Sequence, residues 1–146
     1  MDTSTCLTRL TVAIACLAAV PLAHADTVNY LPIPGAGSAN DMSPDGRFIC
    51  GESTFATGFA PYIYDTFERT LTLLPSTGLT AVAISDDGRT VVGAMEDPGT
   101  GAEIAAIWHA STNTWESMGS IPGGGECPSL SSAYELSADG TVAVGL

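Results

Sequence analysis

Ser43-Pro-Asp-Gly-Arg-Phe-Ile-Cys-Gly51, Ser85-Asp-Asp-Gly-Arg-Thr-Val-Val-Gly93 and Ser137-Ala-Asp-Gly-Thr-Val-Ala-Val-Gly145 are three copies of one pattern, Ser-x-Asp-Gly with a second glycine five residues on. Each copy reads as a β-hairpin. Met42, Ile84 or Leu136 ends one strand, and Asp-Gly makes the turn, because Gly accepts a positive φ and Asp accepts local backbone hydrogen bonds. The turn residues are therefore Ser43, Asp45 and Gly46, then Ser85, Asp87 and Gly88, then Ser137, Asp139 and Gly140. The return strand is expected to close at Gly51, Gly93 or Gly145, where a side chain would not fit.

The stretches between the hairpins repeat as well. Pro61-Tyr-Ile-Tyr-Asp65 aligns with Ala105-Ala-Ile-Trp-His109 as a third strand. Leu71-Thr-Leu-Leu-Pro75, Trp115-Glu-Ser-Met-Gly119 and Val28-Asn-Tyr-Leu-Pro32 align as a fourth. Leu31, Leu74 and Met118 set a period of about 43 residues, and the wider gap before the last copy is taken up by the loop Ser120 to Ser132. Four short strands per unit of this length predict an all-β chain of β-propeller-like blades, each of four antiparallel strands. Helical repeats of similar period need apolar residues spaced at 3.6, whereas these segments are short, rich in Val, Thr and aromatics, and cut by Gly and Pro.

Residues 1–25 stand outside the repeat. Arg9, the apolar run Leu10 to Leu22 and Ala23-His24-Ala25 have the layout of a secretory signal peptide, with cleavage expected after Ala25. The run is shorter than the roughly 20 residues that span a bilayer, and the mature segment is expected to hold no membrane span. The remainder divides into a lone outer strand and link (26–38), unit one (39–80), unit two with the Gly-rich loop (81–131) and the start of unit three (132–146). That makes fewer blades than the four to eight of a closed ring, so the ring is expected to be incomplete in this chain, as in part of a longer protein.

The full chain has 146 residues, 16 Asp and Glu, 4 Arg and no Lys, for a net charge of −12. Such a surface repels phosphate, which excludes nucleic acid as a partner. At 45% hydrophobic and 14% charged, the chain is also too apolar to be an acidic disordered tail.

The motifs carry little chemistry. Beyond the leader His109 is the only histidine, and it reads as a polar strand residue beside Trp108. Cys50, Cys127 and His109 lack zinc-ligand spacing, and Asp86-Asp87-Gly88 lacks the alternating acids of a calcium loop. The sequence therefore predicts no catalytic residue, cofactor or metal site. Cys50 and Cys127 would be the two thiols of an exported chain. They either pair as a disulfide or, since Cys50 aligns with Val92 and Val144, leave Cys50 as a small packing group.

The order Ala105-Ala-Ile-Trp108, Met118-Gly119, Pro122-Gly-Gly, Ser131-Ser-Ala-Tyr134 and Ser137-Ala-Asp-Gly140 resembles the bacterial HAF-family extracellular repeat. That resemblance implies an exported, surface-displayed propeller region, like the repeats in autotransporter passengers, which binds an unidentified protein or glycan at the cell envelope without catalysis. His109 departs from it, since an acid commonly follows the Trp. Ser43-Pro-Asp-Gly-Arg47 and Tyr62-Ile-Tyr-Asp65 also resemble the TolB-type propeller repeat, which implies a periplasmic protein-docking role. A propeller-fold hydrolase or lyase is the third reading.

Overall fold

In the computed structural model, which describes residues 30–55, 58–119 and 131–146, the three Ser-x-Asp-Gly segments fold into one and the same turn. In the first, the Gly46 N–H donates to the Ser43 carbonyl (2.8 Å) and the Ser43 N–H to the Phe48 carbonyl (2.8 Å). The Ser43 hydroxyl donates to Asp45 Oδ1 (2.6 Å) and accepts from the Phe48 N–H (2.9 Å), while the Arg47 N–H donates to the same Asp45 oxygen (2.9 Å). Ser85 and Asp87 repeat the set with Gly88, Arg89 and Thr90. Ser137 and Asp139 repeat it with Gly140, Thr141 and Val142. The three turn glycines sit at φ of +73°, +69° and +71°, where an L side chain is strained. Serine suits the first position because its hydroxyl both donates and accepts inside the turn.

The chain divides at Leu31/Pro32, and the architecture is that of Pro32–Leu146. The first sheet is antiparallel in the order β1 (Asp41–Met42), β2 (Phe48–Phe55), β3 (Gly58–Asp65), β4 (Thr70–Leu73). The second repeats it as β5 (Gly78–Ile84), β6 (Thr90–Glu96), β7 (Glu103–His109), β8 (Thr114–Gly119). The third holds β9 (Ala133–Leu136) and β10 (Ala143–Gly145). Every described element is a strand, and the described sheets do not close a ring.

Strand alternation, with a register irregularity between Ala81 and Ala83 that turns them to opposite faces, lets the second sheet build two cores. One face sets Ala81, Ile84, Val91, Met95, Ile104 and Trp108 against Cys50 and Ile63 of the first sheet and Leu74, just past the end of β4. The other sets Ala83, Val92 and Ala105 against Ala133 and Leu136 of the third. Polar bonds join the sheets too. Asn40 Nδ2 donates to the Ala81 carbonyl (2.8 Å), the Ile84 N–H to Asp41 Oδ2 (2.9 Å) and the Asp86 N–H to the Ala138 carbonyl (2.9 Å).

Gly51 and Gly93 do not end their strands, whereas Gly145 is the last residue of β10. β2 continues to Phe55 and β6 to Glu96. A Cβ at Gly51, Gly93 or Gly145 would collide with the carbonyl of Ser38, Thr80 or Ser132, each thirteen residues earlier. All three positions accommodate a close backbone approach from the first strand or the residues leading into it, and at Gly51 and Gly93 pairing with the third strand runs on past them. β3 likewise begins at Gly58, before the expected Pro61.

Of the outer strand expected over 28–32, residues 28 and 29 lie outside the described residues, and Tyr30, Leu31 and Pro32 are in no strand. Pro32 and Pro34 lack the N–H that a ladder needs. Pairing starts later, where Ala36 bridges Ser53 and the Gly37 and Ser38 N–H groups both donate to the Glu52 carbonyl.

Candidate functional site

The three Arg of the described residues, Arg47, Arg69 and Arg89, all stand at the Asp-Gly end of the strands or in the β3–β4 turn beside it. Arg47 is engaged there. It pairs with Asp65 at 3.0 Å, and its guanidinium lies 4.8 Å from the Phe48 ring centre and 5.5 Å from that of Phe67. The opposite end carries Glu52, Glu96, Asp97 and Glu103 and, among the described residues, no cation.

At that end a shallow cavity of about 560 Å³ opens between the first and second sheets, lined by Glu52, Phe59, Leu79, Thr80 and Glu103. Phe59 is 75% exposed and Leu79 36%, an unusual outlay of apolar surface for residues beside carboxylates. Glu52 is held in place. Its carboxylate accepts from the Ser38 hydroxyl and from Asn40 Nδ2 (3.0 and 3.1 Å). Asn40 in turn is anchored to the second sheet through Ala81, so the bond network crosses the floor between sheets. Glu103 stands opposite Glu96 in the β6–β7 register, two like charges across a ladder that a cationic ligand would relieve. Asp97, in the β6–β7 loop, is held below the usual carboxylate range by the Gly99 N–H and then the Thr100 hydroxyl, so it adds to the negative field. The arrangement suits a segment with an apolar group flanked by a positive charge.

The residues singled out in the sequence are placed elsewhere. The nine turn residues form the three turns at the other end of the strands. His109 ends β7, opposite Thr90 and Thr114, and is only half-buried. Cys50 is fully buried among Ile63, Leu74 and Val91, and burial pushes its thiol up to about 12. Cys127 lies outside the described residues, as does most of the Gly-rich loop and the leader. Among the described residues no group of three or more His, Cys, Asp or Glu could hold a metal ion, and no helix is long and apolar enough to cross a membrane.

Sequence reasoning missed Glu52, Phe59 and Leu79. Glu52 had a signal, because its repeat equivalents one position past the glycine are Ala94 and Leu146.

Among solved structures the chain is similar to TolB from Acinetobacter baumannii, with a TM-score of 0.57 and 18% identity over 76% of this chain. The fold is that of a β-propeller. The chain spans 26% of the length of that TolB chain. No family model and no curated protein matches, so the HAF-repeat resemblance rests on the sequence motifs.

Proposed function

We propose that this chain is a binding region of an exported propeller protein, docking a protein segment that presents an apolar side chain next to a cation at the Glu52–Phe59–Leu79–Glu103 cavity. The observation that carries this reading is the exposure of Phe59 at a strand end where Glu52, Glu96 and Glu103 have no described cation near them. An aromatic beside carboxylates gives a partner both an apolar anchor and a charge to steer it. The HAF-repeat motifs support extracellular display of such a region, and the TolB-like fold supports a docking propeller in the periplasm. Both readings need export, which the leader Leu10 to Leu22 with Ala23-His24-Ala25 supports.

The test is binding of the purified chain to short synthetic peptides that carry Phe or Leu beside Lys or Arg, compared with the same peptides carrying Glu. Basic-apolar peptides are expected to bind, with salt weakening them, and Glu52→Gln with Glu103→Gln to lower affinity by roughly tenfold. Equal binding of acidic and basic peptides would sink the proposal. Release of reducing ends from envelope polysaccharides by the chain would replace it with the hydrolase reading.

A further inference from the structure

Asn40 stands in front of one of the two carboxylates that line the cavity. Its side-chain nitrogen has two hydrogens and three acceptors within reach: the Ala81 carbonyl at 2.8 Å, and Glu52 Oε1 and Oε2 at 3.0 and 3.1 Å. One hydrogen therefore goes to Ala81, and the other is shared by the two carboxylate oxygens. Near-equal distances put the nitrogen between those oxygens, on the front of the carboxylate. The carbonyl end of the amide could not replace it there, since all three neighbours are acceptors. The backbone of Asn40 is fixed as well, because its N–H donates to the Cys50 carbonyl (2.8 Å) one residue before β1 begins.

An ionised carboxylate offers about four acceptor sites. On Glu52 the shared Asn40 hydrogen covers the inner pair and the Ser38 hydroxyl takes a further site on Oε2, so among the described residues one site is left, on Oε1. A guanidinium binds a carboxylate best through two parallel N–H donors that meet both oxygens from the front. Asn40 already fills that approach. An ammonium is a compact charge with three rotatable donors, and one open site is enough for it. Thr80, in the same lining, adds an acceptor, since its hydroxyl oxygen spends one lone pair on the Ala94 N–H (3.0 Å) and keeps the other. Glu103 is open to a fork, but it is exposed, where water screens the pair, whereas Glu52 is half-buried and decides the preference.

We propose that Asn40 sets the cation specificity of this cavity, which takes the ammonium of a lysine side chain beside an apolar group in preference to the guanidinium of arginine. The inference rests on the docking role proposed above and names the cation of its partner. Asn40 acts through Glu52, by closing the front of its carboxylate, and Phe59 and Leu79 receive the apolar neighbour whichever cation is offered.

Calorimetric titration of the purified chain with three peptides tests it. They are acetylated and amidated, so that no terminal charge competes, and carry Phe-Lys, Phe-Arg or Phe-norleucine in one Gly-Ser frame. The Lys peptide is expected to bind roughly fivefold or more tightly than the Arg peptide, and both more tightly than the norleucine one. Asn40→Ala opens the front of Glu52 and is expected to abolish or reverse the Lys-to-Arg ratio. A merely structural loss would weaken both peptides alike and leave that ratio where it was. Ser38→Ala keeps Asn40 in place and is expected to preserve the ratio. Should Asn40→Ala fail to fold, the ratio in the unaltered chain decides alone. An Arg peptide that binds as tightly as the Lys peptide, or a Lys preference that survives Asn40→Ala, would overturn the inference and leave the docking reading standing. Lys and Arg peptides that bind no more tightly than the norleucine peptide would overturn both.

Discussion

Val91 and Val92, neighbours in β6 and both without exposed surface, belong to two different cores. Val91 packs toward the first sheet and Val92 toward the third, so one strand of seven residues couples both interfaces of the described fold.

Val92→Ala removes two methyl-sized groups from a filled site and is expected to cost about 1.5–3 kcal/mol in chemical denaturation. Its repeat equivalent gives the contrast. Val144→Ala, at a half-open position, is expected to change stability by less than about 0.5 kcal/mol. Equal costs would mean that Val144 is covered in solution.

Gly93→Ala drives a Cβ into the Thr80 carbonyl, a backbone atom that cannot swing aside. A loss of about 3 kcal/mol or more is expected, or failure to fold. Gly99→Ala is the control, since its Cβ would meet only Asp97 Oδ1 at an ordinary 3.5 Å. Comparing the thermal midpoints of the two variants reads the difference.

Asp45, Asp87 and Asp139 are each held below the ordinary carboxylate value of 3.8. The leading cause is the serine hydroxyl for Asp45 and Asp139 and the Arg89 N–H for Asp87. A folded pKa below the unfolded one gives stability that is fully present above the unfolded value and is lost as pH falls through the folded one. The melting temperature is therefore expected to drop as pH is lowered from about 6 to about 2.5. Replacing all three with Asn should lower the melting temperature at the higher pH and flatten that decline. A slope unchanged by the triple substitution would assign the acid sensitivity to other carboxylates.

Cys50 is fully buried with its thiol pushed up to about 12, so the thiolate that alkylating reagents attack is absent at pH 8. Peptide mass mapping after iodoacetamide treatment of the folded chain is expected to find Cys50 unmodified, and modified once denaturant is added. Cys50→Val, which installs the residue of the two equivalent positions, is expected to fold with a stability change under about 1.5 kcal/mol.

The hairpins were legible because their cause is local. Ser, Asp and Gly at fixed offsets satisfy one another within six residues, so the sequence of Ser43 to Phe48 contains every partner of that turn. The four-strand repeat followed from the spacing of those turns and of Leu74 and Met118. The length of β2 was not legible, since Gly51 looks like a terminator until the Ser38 carbonyl is seen beside it. The cavity was hidden for a stronger reason. Glu52, Phe59, Leu79 and Glu103 come from four strands of one sheet pair and share no motif, and their common feature is the end of the strands they occupy.

The approach of each glycine to a carbonyl thirteen residues earlier also fixes where the chain can change length. An inserted residue between Ser38 and Gly51, Thr80 and Gly93 or Ser132 and Gly145 would slide a side chain beneath that carbonyl and flip the strand's inward face outward. Each such span is a ruler with no slack. Length variation is thereby confined to the connections outside it, and the ten residues by which the second Ser-to-Ser interval exceeds the first fall ahead of Ser132.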